Sequence, residues 1–344
     1  MIVRFDQEKK WIYDILKSLG ARDEEAQASS EILSEGDLRG YSSHGLMRLK
    51  YIINGTRLGT MRIPSNPEFS KIRDNIGLMY GDHGLGHFVT MNAITEAIAM
   101  CKSHGIAMVG INNSNHYGMA GIYAEKITEE NLIGIVLSSS DPVVHSFGGI
   151  DPVMGTNSLA VGIPCRMGPI LLDMATSEAS RGKILEARKK GLPIPDNWAI
   201  SRDGSKTTDP ETALLGSLNP FGGAKGFGIS IIISILAGAF VGAEMGKKVR
   251  GTLDLKELCT KGDLIIAIDP YIFVDKSTFD KKIEEFQKEI KGSRKMAGVN
   301  EIMMPGEGSK RRRKEGLSKG YEISESTLNE LRDLLESFSM SCPF

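Results

Sequence analysis

A few polar side chains stand in this sequence where chemistry could be done. His116 lies in Asn112-Asn113-Ser114-Asn115-His116-Tyr117-Gly118, after the apolar run 106–111 and before a segment in which Ala120, Tyr123, Ala124 and Ile127 recur at helical spacing. The pattern predicts a loop between a strand and a helix, where ligands of α/β sheets commonly sit. An imidazole there either carries a proton or satisfies backbone groups; we read His116 as a catalytic acid/base. His44 and Arg48, four residues apart after a capping Ser43, would share one face of a helix whose apolar side is Leu46, Leu49 and Ile53. A guanidinium beside an imidazole near a helix start suits a carboxylate, which arginine grips bidentately. The alternative is a surface salt bridge and a cap. His83 and His87 have the spacing of a helical metal pair, but no third ligand follows at metal spacing.

Two other stretches suit anions. Asp173-Met174-Ala175-Thr176-Ser177 lies between an apolar strand over 170–173 and a helix over 178–190, so backbone N–H groups at the helix start, with Arg181 and Lys183, could meet a cofactor phosphate. The glycine-rich Phe221-Gly222-Gly223-Ala224-Lys225-Gly226 delivers Lys225 to the start of an apolar helix, against a phosphate, a substrate anion or nothing but its own loop. Neither G-x-G-x-x-G nor a P-loop occurs, so a standard Rossmann domain is not supported.

The elements that must position these groups alternate. Helices are predicted near the start, over 11–19 and 23–38, then helix over 89–101, strand 106–111, helix 118–131 and strand 133–137. Two strands follow over 158–164 and 170–173, then a turn at Thr207-Thr208-Asp209-Pro210, a strand over 264–268, and helices ending at Ile290 and Phe338. At 344 residues the chain exceeds the roughly 250–300 at which one core stops growing, so two subdomains are expected. A 41% apolar share, 25% charged residues and a net charge of −1 place it among soluble globular proteins and give no reason for nucleic acid as a partner. The run Lys310-Arg311-Arg312-Arg313-Lys314 lacks interleaved aromatics and reads as a solvated loop. The uncharged stretch 226–243 is close to the ~20 residues of a membrane span. Its glycines and serines, and the flanking Lys225 and Glu244, favour a core helix instead. Four scattered cysteines and no secretory signal suggest the cytoplasm.

Taken together, the motifs Ser43-His44-Gly45 with Arg48, Asn115-His116-Tyr117-Gly118, Gly155-Thr156-Asn157-Ser158, Leu172-Asp173-Met174-Ala175-Thr176-Ser177, Thr207-Thr208-Asp209-Pro210, Gly222-Gly223-Ala224-Lys225-Gly226 and Pro305-Gly306-Glu307 resemble the malate/L-lactate dehydrogenase family that lacks a Rossmann fold. The resemblance covers nearly the whole chain. It implies an α/β (α+β) fold: a helical N-terminal part over 1–76, a central α/β domain of non-Rossmann type over 77–305 that binds dinucleotide, and a C-terminal part over 306–344 packing back on the first. It also implies NAD, with NADP possible, and a homodimer or higher even oligomer. By the same resemblance His116 accepts the proton. Ser43, His44 and Arg48 shape the substrate pocket, and Ser140, Asp173, Met174, Ala175, Lys225, Gly306, Glu307 and Gly308 contact the cofactor. The implied reaction interconverts a 2-hydroxy and a 2-oxo acid. L-sulfolactate and sulfopyruvate of coenzyme M biosynthesis come first, with malate, a cyclic imine or ureidoglycolate as alternatives. From another class, a metal-dependent hydrolase on His83, His87 and His116 is the rival. Ser158 departs from the proline many relatives carry, and the basic run has no counterpart in the family pattern; it could bear on a 2′-phosphate.

Overall fold

A computed structural model describes residues 1–252 and 255–344. Its central sheet has seven strands: β1 (Glu68–Arg73), β2 (Ile76–Tyr80), β3 (Ile106–Asn112), β4 (Ile133–Ser138), β5 (Ser158–Ile163), β6 (Ile170–Met174) and β7 (Asp263–Ile268). Their spatial order is β1-β2-β3-β7-β4-β5-β6. β2 and β3 run parallel, and the other neighbours are antiparallel. The helices are α1 (Phe5–Ser18), α2 (Asp23–Leu38), α3 (Leu49–Leu58), α4 (Gly86–His104), α5 (Ala120–Glu129), α6 (Arg181–Lys190), α7 (Pro210–Leu215), α8 (Ala224–Leu236), α9 (Lys276–Gly292), α10 (Glu307–Lys319) and α11 (Glu325–Ser337).

Side chains alternate across a strand, and here both faces are covered. Ile265 and Ala267 of β7 join Val109, Ile111, Val136 and Ala160 against α4 and α5, while Leu264 and Leu137 turn to the opposite face, against Ile233, Ala237 and Val241. Strands buried on both faces read as continuous apolar runs rather than strict alternation, which is why 106–111 and 264–268 stand out in the sequence. The fold is mixed α/β and not a doubly wound parallel sheet.

The two chain ends build a second core. Trp11 and Ile15 of α1, Leu49 of α3 and Leu328, Leu331 and Leu335 of α11 pack together with Phe88. Ile2–Val3 pairs antiparallel with Tyr321–Glu322, and the N-terminal amine donates to the Ile323 carbonyl at 2.9 Å. The central sheet already begins at Glu68.

Four local expectations are corrected. Ser43 caps no helix: Ser42–His44 and Leu46–Arg48 are separate 3-10 turns broken at Gly45, and α3 starts only at Leu49. The half-buried Asp37 carboxylate accepts the Leu46 amide at 2.6 Å, and a Cβ on Gly45 would lie 1.9 Å from Asp37 Oδ2, so the chain is pinned before a helix can form. The turn at Asp209-Pro210 runs directly into α7, whose end Asp209 caps by accepting the Thr212 amide at 2.9 Å. The stretch 226–243 is not a buried core helix. α8 and the following turn bury Ile233, Ala237 and Val241 but leave Ile232 56% and Phe240 59% exposed. By length and composition Ala224–Val241 is apolar enough to cross a membrane. Finally, the basic run is no solvated loop. It forms the middle of α10, where Arg312 Nε donates to the Arg39 carbonyl at 2.6 Å and Arg313 Nε to both Glu35 oxygens at 2.9 Å, docking α10 on α2.

Candidate active site

Antiparallel neighbours bring the end of one strand beside the start of the next. Ser138 at the end of β4 pairs with Asp263 at the start of β7 and with Ser158 at the start of β5, and Met174 at the end of β6 pairs with Leu159. One edge of the sheet therefore collects residues 112–116, 138–140, 156–158, 173–175 and 261–263. Two cavities open there, of about 400 and about 150 Å³, and they share Ser43, His44, His116, Ser140, Asp141 and Thr156 in their walls.

His116 stands where the two lobes meet. Its loop is held from behind by Asn115, whose Nδ2 donates to the carbonyls of His83 (2.6 Å) and Gly84 (3.1 Å). The Gly118 amide donates to His116 Nδ1 at 3.1 Å. A neutral ring accepting there carries its hydrogen on Nε2, the nitrogen left for a substrate oxygen. Burial pushes the His116 pKa well below the usual histidine value, and the Arg48 cation, His44, His87 and the Lys261 ammonium push it further.

His44 and Arg48 do not share a helix face, yet both reach the site. The His44 ring lies 5.5 Å from that of His116, with Nδ1 bonded to the Ser43 hydroxyl at 2.9 Å. Burial, then Arg48, takes its pKa down to about 3. Arg48 Nε donates to the Ser43 carbonyl at 2.7 Å, its Nη1 lies 3.5 Å from the Thr252 hydroxyl, and the guanidinium sits over the Tyr51 ring at 5.3 Å. The guanidinium thus faces the smaller lobe on a carbonyl, a hydroxyl and an aromatic ring, with the Asp141 carboxylate in the same lobe opposing the effect of burial on it.

The malate/L-lactate dehydrogenase family model matches residues 3–332. This chain belongs to that family. The malate/(S)-sulfolactate dehydrogenase of Methanothermus fervidus is 38% identical over 340 residues, covering 99% of both chains. The solved sulfolactate dehydrogenase of Methanocaldococcus jannaschii superposes with a TM-score of 0.93 at 38% identity, over 99% of this chain and 98% of that one. Ureidoglycolate dehydrogenase (NAD(+)) of Escherichia coli K12 is 31% identical over 88% of this chain and 87% of its own.

Dehydrogenases of the malate/L-lactate family use a nicotinamide dinucleotide, and the larger lobe has the walls for one end of it. Its volume lies within the roughly 300–1,000 Å³ of cofactor pockets, and Ser138, Ser139, Ser140, Thr156 and Asp173 offer hydroxyls and a carboxyl suited to ribose and carboxamide. Burial raises the Asp173 pKa to about 6, although its Oδ2 accepts the Gly121 amide at 3.0 Å. Met174 and Ala175 line the same lobe. Lys225 and residues 306–308 line neither lobe. Lys225 is exposed in the first turn of α8. Gly306, at φ +88°, sits against Leu171 on β6, three residues before Met174, and Glu307 accepts the Met304 amide at 3.0 Å and pairs with Lys291.

In this family member the structure also assembles residues that sequence reasoning passed over. Lys261 and Asp263 form a buried ion pair at 2.6 Å, with the ammonium 4.7 Å from the Tyr117 ring centre. The legible signal was two charges flanking Gly262 at the entrance to an apolar strand, where charges are rarely buried unless paired. Tyr117 Oη lies 3.1 Å from Ser158 Oγ, so the serine that replaces the expected proline has a partner. His83 and His87 do not form a helical pair: His83 has a left-handed φ of +52° ahead of α4, whereas His87 lies within it, buried, with neither ring nitrogen hydrogen-bonded. Among the described residues no group of three His, Cys, Asp or Glu side chains is placed to hold a metal. Another cavity, about 630 Å³ between α2, α5 and α10, lies elsewhere. Several of its charges are paired with one another, Arg39 with Glu35 and Glu125 at 2.7 Å each and Lys126 with Glu31 at 3.2 Å.

Proposed function

We propose that this chain is an NAD(P)-dependent 2-hydroxy acid dehydrogenase of the cytoplasm that interconverts L-sulfolactate and sulfopyruvate or malate and oxaloacetate. The observation that carries the reading is the position of His116 between a small lobe with an arginine and a larger lobe lined by hydroxyls. In this reading Arg48 holds the substrate carboxylate, Ser43 and His44 shape the small lobe, and Ser140, Asp173, Met174 and Ala175 hold the nicotinamide end of the cofactor. Lys225, Gly306, Glu307 and Gly308 serve its outer part; Gly306 supports this by packing on the strand that carries Met174. The bound nicotinamide accepts or supplies the hydride, and the protein supplies orientation and a proton path.

The tautomer sets how His116 serves. With Nδ1 occupied by the Gly118 amide, the neutral ring meets a 2-oxo oxygen as an Nε2–H donor, which suits reduction. Complete proton delivery requires a charged ring, and the substrate's negative charge, set against the Arg48 cation, raises the imidazole pKa in the complex. In oxidation the ring must take the hydroxyl proton, so its hydrogen must first leave the substrate-facing nitrogen.

The decisive assay follows NADH and NADPH oxidation with sulfopyruvate, oxaloacetate, 2-oxoglutarate and pyruvate. We expect turnover with sulfopyruvate or oxaloacetate, faster with NADH, because Arg311 and Arg313 are engaged by Glu301 and Glu35 and Arg312 is tied through Nε to the Arg39 carbonyl. No turnover with any of the four refutes the assignment. The same reading includes a homodimer or higher even oligomer, supported by the apolar face of α8 left open by the single chain; a monomer in sedimentation equilibrium contradicts it.

A further inference from the structure

A neutral imidazole carries its hydrogen on one ring nitrogen, and the bond made by the other nitrogen decides which. Where a histidine serves as a general base, its Nδ1–H commonly donates to a carbonyl or carboxylate and Nε2 is left bare. His116 is held the opposite way, because the group against its Nδ1 is a donor, the Gly118 amide at 3.1 Å. That amide belongs to the Tyr117–Gly118 peptide, which is planar, so its C=O and N–H point in opposite directions and fixing one fixes the other. Gly118 itself does not fix them. Its φ is +88°, turning the peptide over brings φ to the negative side, and glycine accepts both signs. The carbonyl end is what is held, since the Tyr117 oxygen accepts the Tyr123 hydroxyl. Tyr123 stands in the first turn of α5, fully buried, with its ring 5.2 Å from that of Tyr117 and inclined to it by 66°. The Tyr117 side chain is tied in turn through its own hydroxyl to Ser158 at 3.1 Å. Burial first, then Tyr117 and the Asp263 carboxylate, push the Tyr123 pKa well above the ordinary phenol value, so the hydroxyl keeps its proton and stays a donor.

We propose that Tyr123 is a positioning residue that selects the tautomer of His116: by holding the Tyr117 carbonyl it turns the Gly118 amide onto Nδ1 and keeps the ring hydrogen on Nε2. The inference rests on the dehydrogenase reading above, in which Nε2 is the nitrogen that meets the substrate oxygen. The same arrangement opposes the charged ring, whose Nδ1–H would face the Gly118 N–H. Once released, the peptide is free to turn its carbonyl toward the ring and accept from Nδ1–H, in the other neutral tautomer or in the imidazolium.

Tyr123→Phe removes the hydroxyl and keeps the ring. Long-range proton–nitrogen correlation spectra of the full-length enzyme, carrying nitrogen-labelled histidine and no cofactor, tell a protonated ring nitrogen from a bare one. The signal lost in His116→Asn identifies the residue. We expect Nε2–H with a bare Nδ1 in the unsubstituted enzyme, and a second population carrying Nδ1–H in Tyr123→Phe. In turnover, Tyr123→Phe should lower kcat for 2-oxo acid reduction by roughly 3- to 10-fold with KM changed less than about twofold, the scale of one lost neutral hydrogen bond. The acid limb of its oxidation profile should move to higher pH, because a proton arriving at Nδ1 no longer meets an amide. Arg48, His44, His87 and Lys261, the charged and titratable groups that face the ring, stay in place in this variant. Nδ1–H in the unsubstituted enzyme, or a Tyr123→Phe protein with unaltered tautomer and acid limb, overturns the assignment. If Tyr123→Phe does not fold, hydrogen exchange in the unsubstituted enzyme decides: a slowly exchanging Gly118 amide supports the lock, and one that exchanges like a solvated loop overturns it. Absence of turnover in the unsubstituted enzyme removes the dehydrogenase reading instead, and the spectra, taken without substrate, tell the two failures apart.

Discussion

His116→Asn is expected to lower turnover by about 10²–10⁴-fold, the contribution of a positioned proton-transfer group, while leaving dinucleotide binding within a few-fold. Asparagine keeps a polar side chain in the loop held by Asn115 but cannot carry a proton between the substrate oxygen and solvent. Fluorescence titration with NADH and steady-state turnover separate the two effects, and near-normal turnover removes His116 from the role. The ring also predicts a pH profile. Burial and the Arg48 cation hold its pKa well below the usual value, so in the free enzyme the imidazole stays neutral as pH falls through the ordinary histidine value of about 6.5. Oxidation needs the neutral ring. kcat/KM for hydroxy acid oxidation should therefore hold level from pH 8 to 6.5 and decline only below, as protons bind the folded-state ring. A decline centred at or above 6.5 contradicts the environment described here.

Arg48→Met should cost roughly 10²–10³-fold in kcat/KM, mainly through KM, because a half-buried charge partner of the substrate is truncated. Arg48→Lys should cost about tenfold, since a point charge cannot both hold the Ser43 carbonyl and present a fork to a carboxylate. The methionine variant carries a second signature. Arg48 lowers the pKa of both His44 and His116, so its removal should move the acid limb of the oxidation profile to higher pH, and the lysine variant should not. Substrate affinity unchanged in both variants would place the carboxylate receptor elsewhere.

Strand ends and helix faces were legible where local chemistry dominates. The run before His116, the apolar 264–268 and the helical spacing of Trp11, Ile12, Ile15 and Leu16 follow from burial that each segment needs wherever it packs. The turn holding His44 and Arg48 was not legible, because Asp37, eight residues before Gly45 and on another element, decides it. The character of α10 was likewise hidden. A basic run looks solvated until Glu35 and the Arg39 carbonyl, more than 270 residues away in sequence, are placed against it. Lys261 and Asp263 drew no reading from the sequence, because they become a buried pair beside Tyr117 only once β7 is inserted between β3 and β4.

The sequence alone supplied the candidates: His116, Arg48 and Asp173 by their chemical types and flanking patterns, which are local facts, and Ser140 through the family resemblance. What only the tertiary structure decided is which of them face one another. An antiparallel order places the ends of β3, β4 and β6 with the starts of β5 and β7 at a single edge, and α6 packed on Ser43 turns Arg181 toward Arg48 and Lys183 away from it. Strand order and helix docking are set by long-range burial of whole faces, and no local spacing carries that information.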